Sequence, residues 1–547
     1  MTLTGLIKRE SNGLRWDVYA GAVISGGANA GILAVINASM QGGAEVPSGR
    51  YLLIYIVLIT LYILCFRYTF GRISQLFEGM LHRVRMRITS KIETAELSVL
   101  ENVGKSRIYN VITKETLVIS QSSGSLTFAL QASLLILFSA CYIAILSKTA
   151  FALTVTLVGL GLFIYRYYGQ EAVRLITMAT QKEIAFLDTV THAIEGFKEV
   201  KLNQRRREDL FRELERISSV LGNVRTQTED RYNKSSIFSQ VIFYILIGAV
   251  VFVLPRLMPT YNSVLKELTT AILFVIGPLT ALVGAIPAFS RANIAADNIH
   301  KLEMALEALT PKDPPRGDPD RYAGFKTLTL TDIEYSFHDT AGQRTFTVGP
   351  ASLVVRAGEI LFIIGGNGSG KSTLLRLLTG LYPPSKGMID VDGERIDGTR
   401  LQSYRELFTA IFSDFHLFDK LYGLRDLDPV RVQALLKEMQ LQDKTEFAND
   451  RFTTLDLSTG QRKRLALVVS LLEDKPVYVF DELAADQDPE FRRFLYETLI
   501  YNLRARGKTI IAVTHDDRYF HLADRTVKIL DGKIEFVTGP PADTDAR

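Results

Sequence analysis

At 547 residues the chain has room for roughly two to four domains by length alone, and 63 Lys+Arg against 59 Asp+Glu leave a formal charge of +4. That balance carries no polyanion-binding tendency, so nucleic acid is not an expected partner. Its two cysteines, Cys65 and Cys141, both fall inside apolar runs; they exclude a disulfide framework and read as small buried apolar residues.

The 47% hydrophobic fraction averages two unlike halves, because nearly all long apolar runs precede residue 292. Runs at 16–38, 51–70, 125–146, 149–168, 236–254 and 268–289 each approach the ~20 residues that cross a hydrocarbon core of about 30 Å. The first is too long for a secretory signal and lacks a small-residue cleavage site, which predicts a retained anchor. An even number of spans puts both termini on one side. The outer connections hold only Arg50, Lys148, Arg256 and Lys266, whereas the inner segments hold Arg67, Arg72, Arg83, Arg85, Arg87, Lys91, Lys198, Lys201 and Arg205 to Arg207. Lysine and arginine stay inside, so the termini and the whole second half are expected in the cytoplasm.

Connection lengths add to this. Runs three and four are joined by little more than Ser147 and Lys148, whereas 71–124 and 169–235 are long, charged and periodic. Apolar residues at helical spacing in LFEGMLHRVRMRITSKIETAEL and EIAFLDTVTHAIEGFKEVKL predict helices that continue beyond the membrane, with turns near 103–109 and 208–211. Inside the spans, Asn29, Asn37, Gln131 and Tyr244 are polar groups that line a substrate path or bond helix to helix. Gly27 and Gly31 form a small-residue pair suited to close helix packing. The Pro- and Asp-rich PKDPPRGDPD opens a linker. The expected division is a six-helix membrane domain at 1–310, a linker at 311–325 and an α/β domain at 326–547.

In the second half, ILFII predicts a buried strand, GGNGSGKST a phosphate loop, and LLRLLTG the helix after it. Gly365, Gly366, Asn367, Gly368, Ser369 and Gly370 give the tight turn whose backbone N–H groups, with the helix N-terminus, face phosphates. Lys371 would reach the β- and γ-phosphates; Ser372, followed by Thr373, would bind Mg²⁺. VYVF and TIIAVT predict two more buried strands, ending at Asp481 and His515. Chemistry collects at the carboxyl ends of parallel strands. Asp481 would then hold Mg²⁺ through water, Glu482 polarise the attacking water, and His515 contact the γ-phosphate of ATP.

This ordered set, with LSTGQ at 457–461, resembles the ATP-binding-cassette family, and in particular its exporters with six spans followed by one cassette. The resemblance implies a membrane all-α six-helix domain followed by an α/β P-loop cassette, with ATP and Mg²⁺ as cofactors. It assigns Ser458, Gly460 and Gln461 to the γ-phosphate held by a partner subunit, Thr459 standing where the family carries glycine. It also places Phe337, in IEYSF, at the aromatic that stacks on adenine, and Asp488 at the loop linking two sites. One cassette per chain implies pairing, most simply as a homodimer. The family's Mg²⁺-binding glutamine is replaced by Ser413, which is shorter; Asp414 or a water would substitute for direct coordination.

Only 45 positions separate Ser413 from Ser458, fewer than in most such exporters, so the helical subdomain should be abbreviated. One helix is expected there, with Asp428 as N-cap and Pro429 at its first position. That gap, with GGNGSGKST, AADQDPEFRR, THDDRYF and GFKEVKLN, is similar to the bacterial cyclic-peptide and siderophore exporters, including pyoverdine- and microcin-handling members. The resemblance implies ATP-driven export of a small peptide or peptide siderophore across the bacterial cytoplasmic membrane, among membrane lipid. Lipid flipping by the same architecture and ATP-gated signalling without transport are the alternatives. The tiny outer loops argue against signalling by mechanotransmission. No peptidase domain is seen before the first span, so leader cleavage is not expected.

Overall fold

The computed structural model describes residues 1–11, 16–41, 49–257, 265–307, 317–338, 344–425 and 427–538. The chain falls into two compact units, Met1–Glu93 with Val103–Ala308 and Thr94–Asn102 with Leu309–Arg547. The expected linker at 311–325 lies in part outside the described residues; residues 42–48 and 258–264, within two of the connections expected to be outer, lie outside them altogether.

The first unit is all-helical. In chain order come α1 (Leu3–Ser11), α2 (Trp16–Gln41), α3 (Gly49–Thr94), α4 (Leu97–Val103), α5 (Lys105–Asn110), α6 (Thr116–Leu146) and α7 (Lys148–Glu195). Then follow α8 (Phe197–Leu202), α9 (Gln204–Gly248), α10 (Leu254–Leu257) and α11 (Leu265–Glu307); α4 belongs, but for its last residue, to the second unit. Each expected apolar run sits on its own helix: α2, α3, α6, α7, α9 with the turn after it, and α11. Helix is the form that satisfies every backbone polar group within the segment, as a hydrocarbon environment requires. By length and composition, four described helices can cross a membrane: α2, α3, α11 and the continuous stretch Lys105–Leu146. The end of α9 and the π-helical turn Ala249–Val253 after it add a shorter apolar stretch, Gln240–Val253. In α7 the side chains at 160–170 lie outside the described residues.

Packing within this unit sets α6 against α11 and α2, and α7 against α9. Buried Leu3 and Leu6 hold α1 down. A carboxylate buried at Glu303 needs cationic partners, and it finds Arg9 at 3.1 Å and Arg87 at 2.6 Å. The first expected turn, near 103–109, is met at Gly104, with a further break before it; the second lies elsewhere. Helix α3 breaks at 95–96 and again at Gly104, whose φ of 81° suits glycine. The second break falls at Gly196 and Asn203, because Asn203 Oδ1 accepts from the Arg206 N–H at 3.1 Å and caps α9, leaving 208–211 inside that helix. A Cβ at Gly31 would lie 3.2 Å from Leu58, whereas Gly27 has nothing within 4 Å; closer approach occurs at Gly21, 2.6 Å from Thr69 Oγ1. Cys65 is half-buried and Cys141 exposed, so the two do not share one buried setting.

The second unit opens with β1 (Thr327–His338), β2 (Arg344–Arg356), β3 (Ile360–Ile364), α12 (Lys371–Leu378), β4 (Lys386–Val391), β5 (Glu394–Arg395), α13 (Leu401–Arg405) and β6 (Phe408–Ile411). It continues through α14 (Pro429–Glu438), β7 (Phe447–Ala448), β8 (Arg451–Phe452), α15 (Thr459–Glu473), β9 (Val477–Asp481), α16 (Pro489–Arg493), α17 (Ile500–Ala505), β10 (Thr509–Val513), β11 (Arg525–Leu530) and β12 (Lys533–Thr538). One sheet has the order β12-β11-β3-β10-β9-β6, the other β2-β1-β4-β5. Strands β9 and β10 are buried at every residue, and β3 at all but Ile364. Their parallel pairing explains why these sequences are continuous apolar runs rather than alternating ones. Between β6 and α15 the described residues build one α-helix, α14, and the short β7–β8 hairpin. Asp428 caps α14 by accepting from the Val430 N–H at 2.9 Å, with Pro429 beginning the helix.

Candidate functional site

Three parallel strands deliver the site. Chain leaving β3 forms the phosphate loop, β9 ends at Asp481 and Glu482, and β10 is followed by Thr514 and His515. The loop's shape depends on glycine: Gly365, Gly368 and Gly370 have φ of 155°, 76° and 102°. A Cβ on Gly365 would lie 2.3 Å from the Ile529 carbonyl, and one on Gly370 2.7 Å from Val348. Lys371 is 5% exposed, and its Nζ donates to the carbonyls of Gly365 at 3.1 Å and Gly366 at 2.9 Å. The ammonium is therefore fixed against the loop at the start of α12, where helix polarity also favours anions.

A cleft of about 520 Å³ opens here, lined by Asn367, Gly368, Gly370, Lys371, Ser372 and Thr373 of the loop, together with Phe346, Ser413 and Glu482. Glu482 takes the left-handed conformation, φ 52°. Its Oε1 lies 3.0 Å from His515 Nε2 and 3.9 Å from Lys371 Nζ. The Glu482 backbone is held from both sides: its N–H donates to the Val513 carbonyl at 3.2 Å, and its carbonyl accepts from Lys463 Nζ at 3.0 Å. Lys463, 6% exposed, also pairs with Asp486 at 2.6 Å.

In the phosphate loop and at the end of β9, two buried polar atoms, Ser369 Oγ and Asp481 Oδ2, have no partner among the described residues. An unpaired buried carboxylate oxygen is costly, and at the end of β9 it fits a hydrated divalent cation. Ser372 and Ser413 are among the residues lining the cleft; Asp481 is not, and stands one residue before the lining residue Glu482. Hard oxygen donors in this number, leaving room for water and phosphate, are the environment Mg²⁺ takes.

The signature residues stand elsewhere. Ser458 caps α15 in a reciprocal box: its Oγ accepts from the Gln461 N–H at 3.3 Å, and Gln461 Oε1 accepts from the Ser458 N–H at 3.1 Å. Ser458 and Thr459 are exposed, and none of 458–461 lines the cleft. Gly460 is needed for packing, since a Cβ would sit 2.7 Å from the Asp486 carbonyl. Asp488 caps α16 by accepting from the Phe491 N–H at 2.9 Å. That bond, with Arg464 alongside, holds its carboxyl below the ordinary aspartate range. Arg464 also lies 4.0 Å over the Phe491 ring.

Phe337 packs edge-on against Tyr335 and Tyr382, with centroids 5.1 and 6.2 Å away, whereas its cross-strand partner Phe346 lines the cleft. Sequence reasoning did not single out Phe346, and the alternation of β2 was the signal that would have placed it. It also missed Lys463, which in QRKR reads as one more solvated cation. Glu101 was missed as well. It accepts from Tyr382 Oη at 2.6 Å and from Arg376 Nη1 at 3.4 Å, while Arg376 Nη2 donates to Asp414 at 3.0 Å. Burial and the bond to Glu101 push the Tyr382 hydroxyl up to about 12, so it stays a donor at neutral pH.

Comparison with known proteins agrees with this geometry. A family model described as "ABC transporter" matches residues 348–485. The chain is 32% identical over 526 residues to "ATP-binding protein SyrD" of Pseudomonas syringae pv. syringae, covering 94% of this chain and 92% of that protein. It is 25% identical over 343 residues to an "ATP-dependent lipid A-core flippase" of Sodalis glossinidius (strain morsitans), covering 59% and 57%. A bacterial Atm1-family ABC exporter solved with ATP bound superposes with a TM-score of 0.78 at 17% identity, over 97% of this chain and 96% of that one.

Proposed function

We propose that this chain, which belongs to the ABC transporter family and is an exporter whose ATPase is coupled to transport, carries a small peptide or peptide siderophore outward across a bacterial cytoplasmic membrane. It would do so as a homodimer, with the cassettes and both termini in the cytoplasm. The observation that carries the reading is a separation within one chain. Lys371, Ser372, Ser413 and Glu482 share one cleft, whereas Ser458, Thr459, Gly460 and Gln461 stand outside its lining on an exposed helix start. A cleft missing its signature and a signature missing its cleft are complementary in a second copy.

In that arrangement Lys371 and the loop N–H groups hold the phosphates of ATP, and the partner's signature closes over them. Ser372, Asp481 and Ser413 are the residues that would hold Mg²⁺, which would supply neutralisation of the phosphate charge. Glu482, fixed by Lys463 and Val513, accepts a hydrogen bond from the attacking water, and His515 orients that carboxylate while contacting the γ-phosphate. Phe346, which lines the cleft, offers the ring against which adenine stacks, its cross-strand neighbour Phe337 being packed against Tyr335 and Tyr382. ATP favours the paired state by its differential affinity for it, which biases the membrane helices from inward- to outward-open; hydrolysis resets them.

Peptide cargo is supported by the near full-length similarity to SyrD and by the shortened interval before the signature. Lipid flipping remains the second reading, favoured by the flippase similarity over 59% of the chain. Pairing is tested by disulfide trapping in a chain whose Cys65 and Cys141 are replaced by serine. Asn367→Cys and Ser458→Cys, placed on differently tagged copies, should cross-link between copies when ATP is added. Cross-linking that ignores nucleotide, or its absence at any ATP concentration, refutes the two-copy site.

A further inference from the structure

Of the four polar residues singled out within the spans, two are accounted for by the fold or by exposure. Asn37 is buried and bonds helices together, its Nδ2 donating to Tyr142 Oη at 3.1 Å and to the Glu267 carbonyl at 3.2 Å. Tyr244 is 66% exposed on α9. The other two, Asn29 on α2 and Gln131 on α6, line one cavity of about 150 Å³ within the first unit. Space of that size suits one ring or one branched side chain.

The chemistry of the lining is specific. Tyr62, Phe66 and Phe128 form aromatic walls, with Phe66 5.7 Å from both of the other rings. The same lining holds a buried amide, Gln131. Ser25 Oγ donates its single proton to the Ala22 carbonyl at 3.1 Å, so toward Gln131 it can only accept. This turns Gln131 Nε2 to Ser25, at 3.3 Å, and leaves Oε1 without a partner among the described residues. Gln131 is 9% exposed, and it uses a small part of its hydrogen-bonding capacity on the fold. Pro278 of α11, which also lines the cavity, lacks the N–H that would pair with the Phe274 carbonyl. None of the described lining residues is charged.

From these observations we infer that the cavity is a subsite for one uncharged apolar side chain of a peptide cargo, with Gln131 Oε1 accepting the adjoining peptide N–H. This rests on the peptide-export reading and names which part of the cargo the membrane unit recognises. An acyl chain could fill the space but offers no N–H to Gln131, and an anionic headgroup or carboxylate meets no cation here. A neutral amide beside a leucine- or phenylalanine-sized group satisfies both the aromatic walls and the open acceptor.

The test is photolabelling of the full-length protein in nanodiscs with cyclo(glycyl-photoleucine), a neutral cyclic dipeptide whose diazirine sits on a leucine-like side chain. Attachment should map to cavity-lining segments of α2, α3, α6 or α11. Excess cyclo(Gly-Leu) should block it and cyclo(Gly-Lys) should not. Loss of one hydrogen bond predicts labelling reduced roughly three- to tenfold in Gln131→Leu. Phe128→Ala, at a half-exposed wall position, should reduce it too and carries the test if the glutamine variant elutes as an aggregate. No labelling, labelling outside the cavity, equal competition by the lysine peptide, or wild-type labelling in both variants overturns the inference. Labelled cavity without peptide transport would leave the site standing and sink the export reading; transport with unlabelled cavity does the reverse.

Discussion

Neighbouring glycines of the phosphate loop should respond oppositely to the same methyl group. At Gly365 a Cβ would lie 2.3 Å from the Ile529 carbonyl and 2.8 Å from Ser369 Oγ, whereas at Gly366 it meets nothing within 4 Å. Ordinary contact begins near 3.4 Å, so Gly365→Ala demands a shift of about 1 Å. Ile529 cannot supply it cheaply, because β11 is laddered to β3 through Val527↔Ile363 and Lys528↔Ile364. Overpacking costs about 1–3 kcal/mol, and a φ of 155° imposed on alanine costs a further ~1–3 kcal/mol. The sum, roughly 2–6 kcal/mol, lowers the cassette's unfolding temperature by roughly 5–20 °C. Gly366→Ala should unfold as wild type does. Thermal unfolding of the full chain in detergent measures both, and binding of a fluorescent ATP analogue should weaken only in Gly365→Ala. Midpoints agreeing within about 2 °C would show that the loop is not pressed against β11 as described.

Three further outcomes concern the same unit. Arg376→Met releases Tyr382, Glu101 and Asp414 together; with two half-exposed partners discounted, the loss should be roughly 1–3 kcal/mol of cassette stability, read as a lowered Tm that Asp414→Asn alone does not reproduce. Lys463→Met frees the Glu482 carbonyl and should lower kcat of ATP hydrolysis roughly ten- to hundredfold with KM little changed; a KM effect instead would place Lys463 outside the support of that carboxylate. Asp488→Ala removes the cap of α16 and should cost about 1 kcal/mol. Because its folded pKa is depressed, that contribution is complete above the unfolded value near 4 and disappears as pH falls through the folded one. Wild type and variant should therefore converge in stability under acid and differ at neutral pH, which denaturation at both pH values would show.

Much of the cassette is legible in the order of its amino acids. Continuous apolar strands, each ending in a chemically loaded residue, place Lys371, Asp481, Glu482 and His515 because parallel strands deliver their carboxyl ends to one edge. Six long apolar runs likewise mark six helices, although only four described helices meet membrane length and composition. What escapes a linear reading depends on contacts between distant segments. Lys463 looks solvated in QRKR, yet α15 turns it under Glu482. Glu101 lies far from the cassette in sequence and meets it through Tyr382 and Arg376. The helix break near 208–211 was misplaced because a single asparagine cap, Asn203, outweighs the charged residues that follow it. Asn29 and Gln131 are visible as polar residues in apolar runs; that they share a cavity is a property of how α2 and α6 pack.

The central claim is that ATP hydrolysis by this chain moves a peptide outward. Purified protein reconstituted into inverted vesicles should take up neutral cyclic peptides or a peptide siderophore only when ATP is outside, with Lys371→Ala inactive and lipid probes not redistributed. Uptake without ATP, uptake by Lys371→Ala, or ATP-driven movement of lipid with every peptide left outside would contradict it.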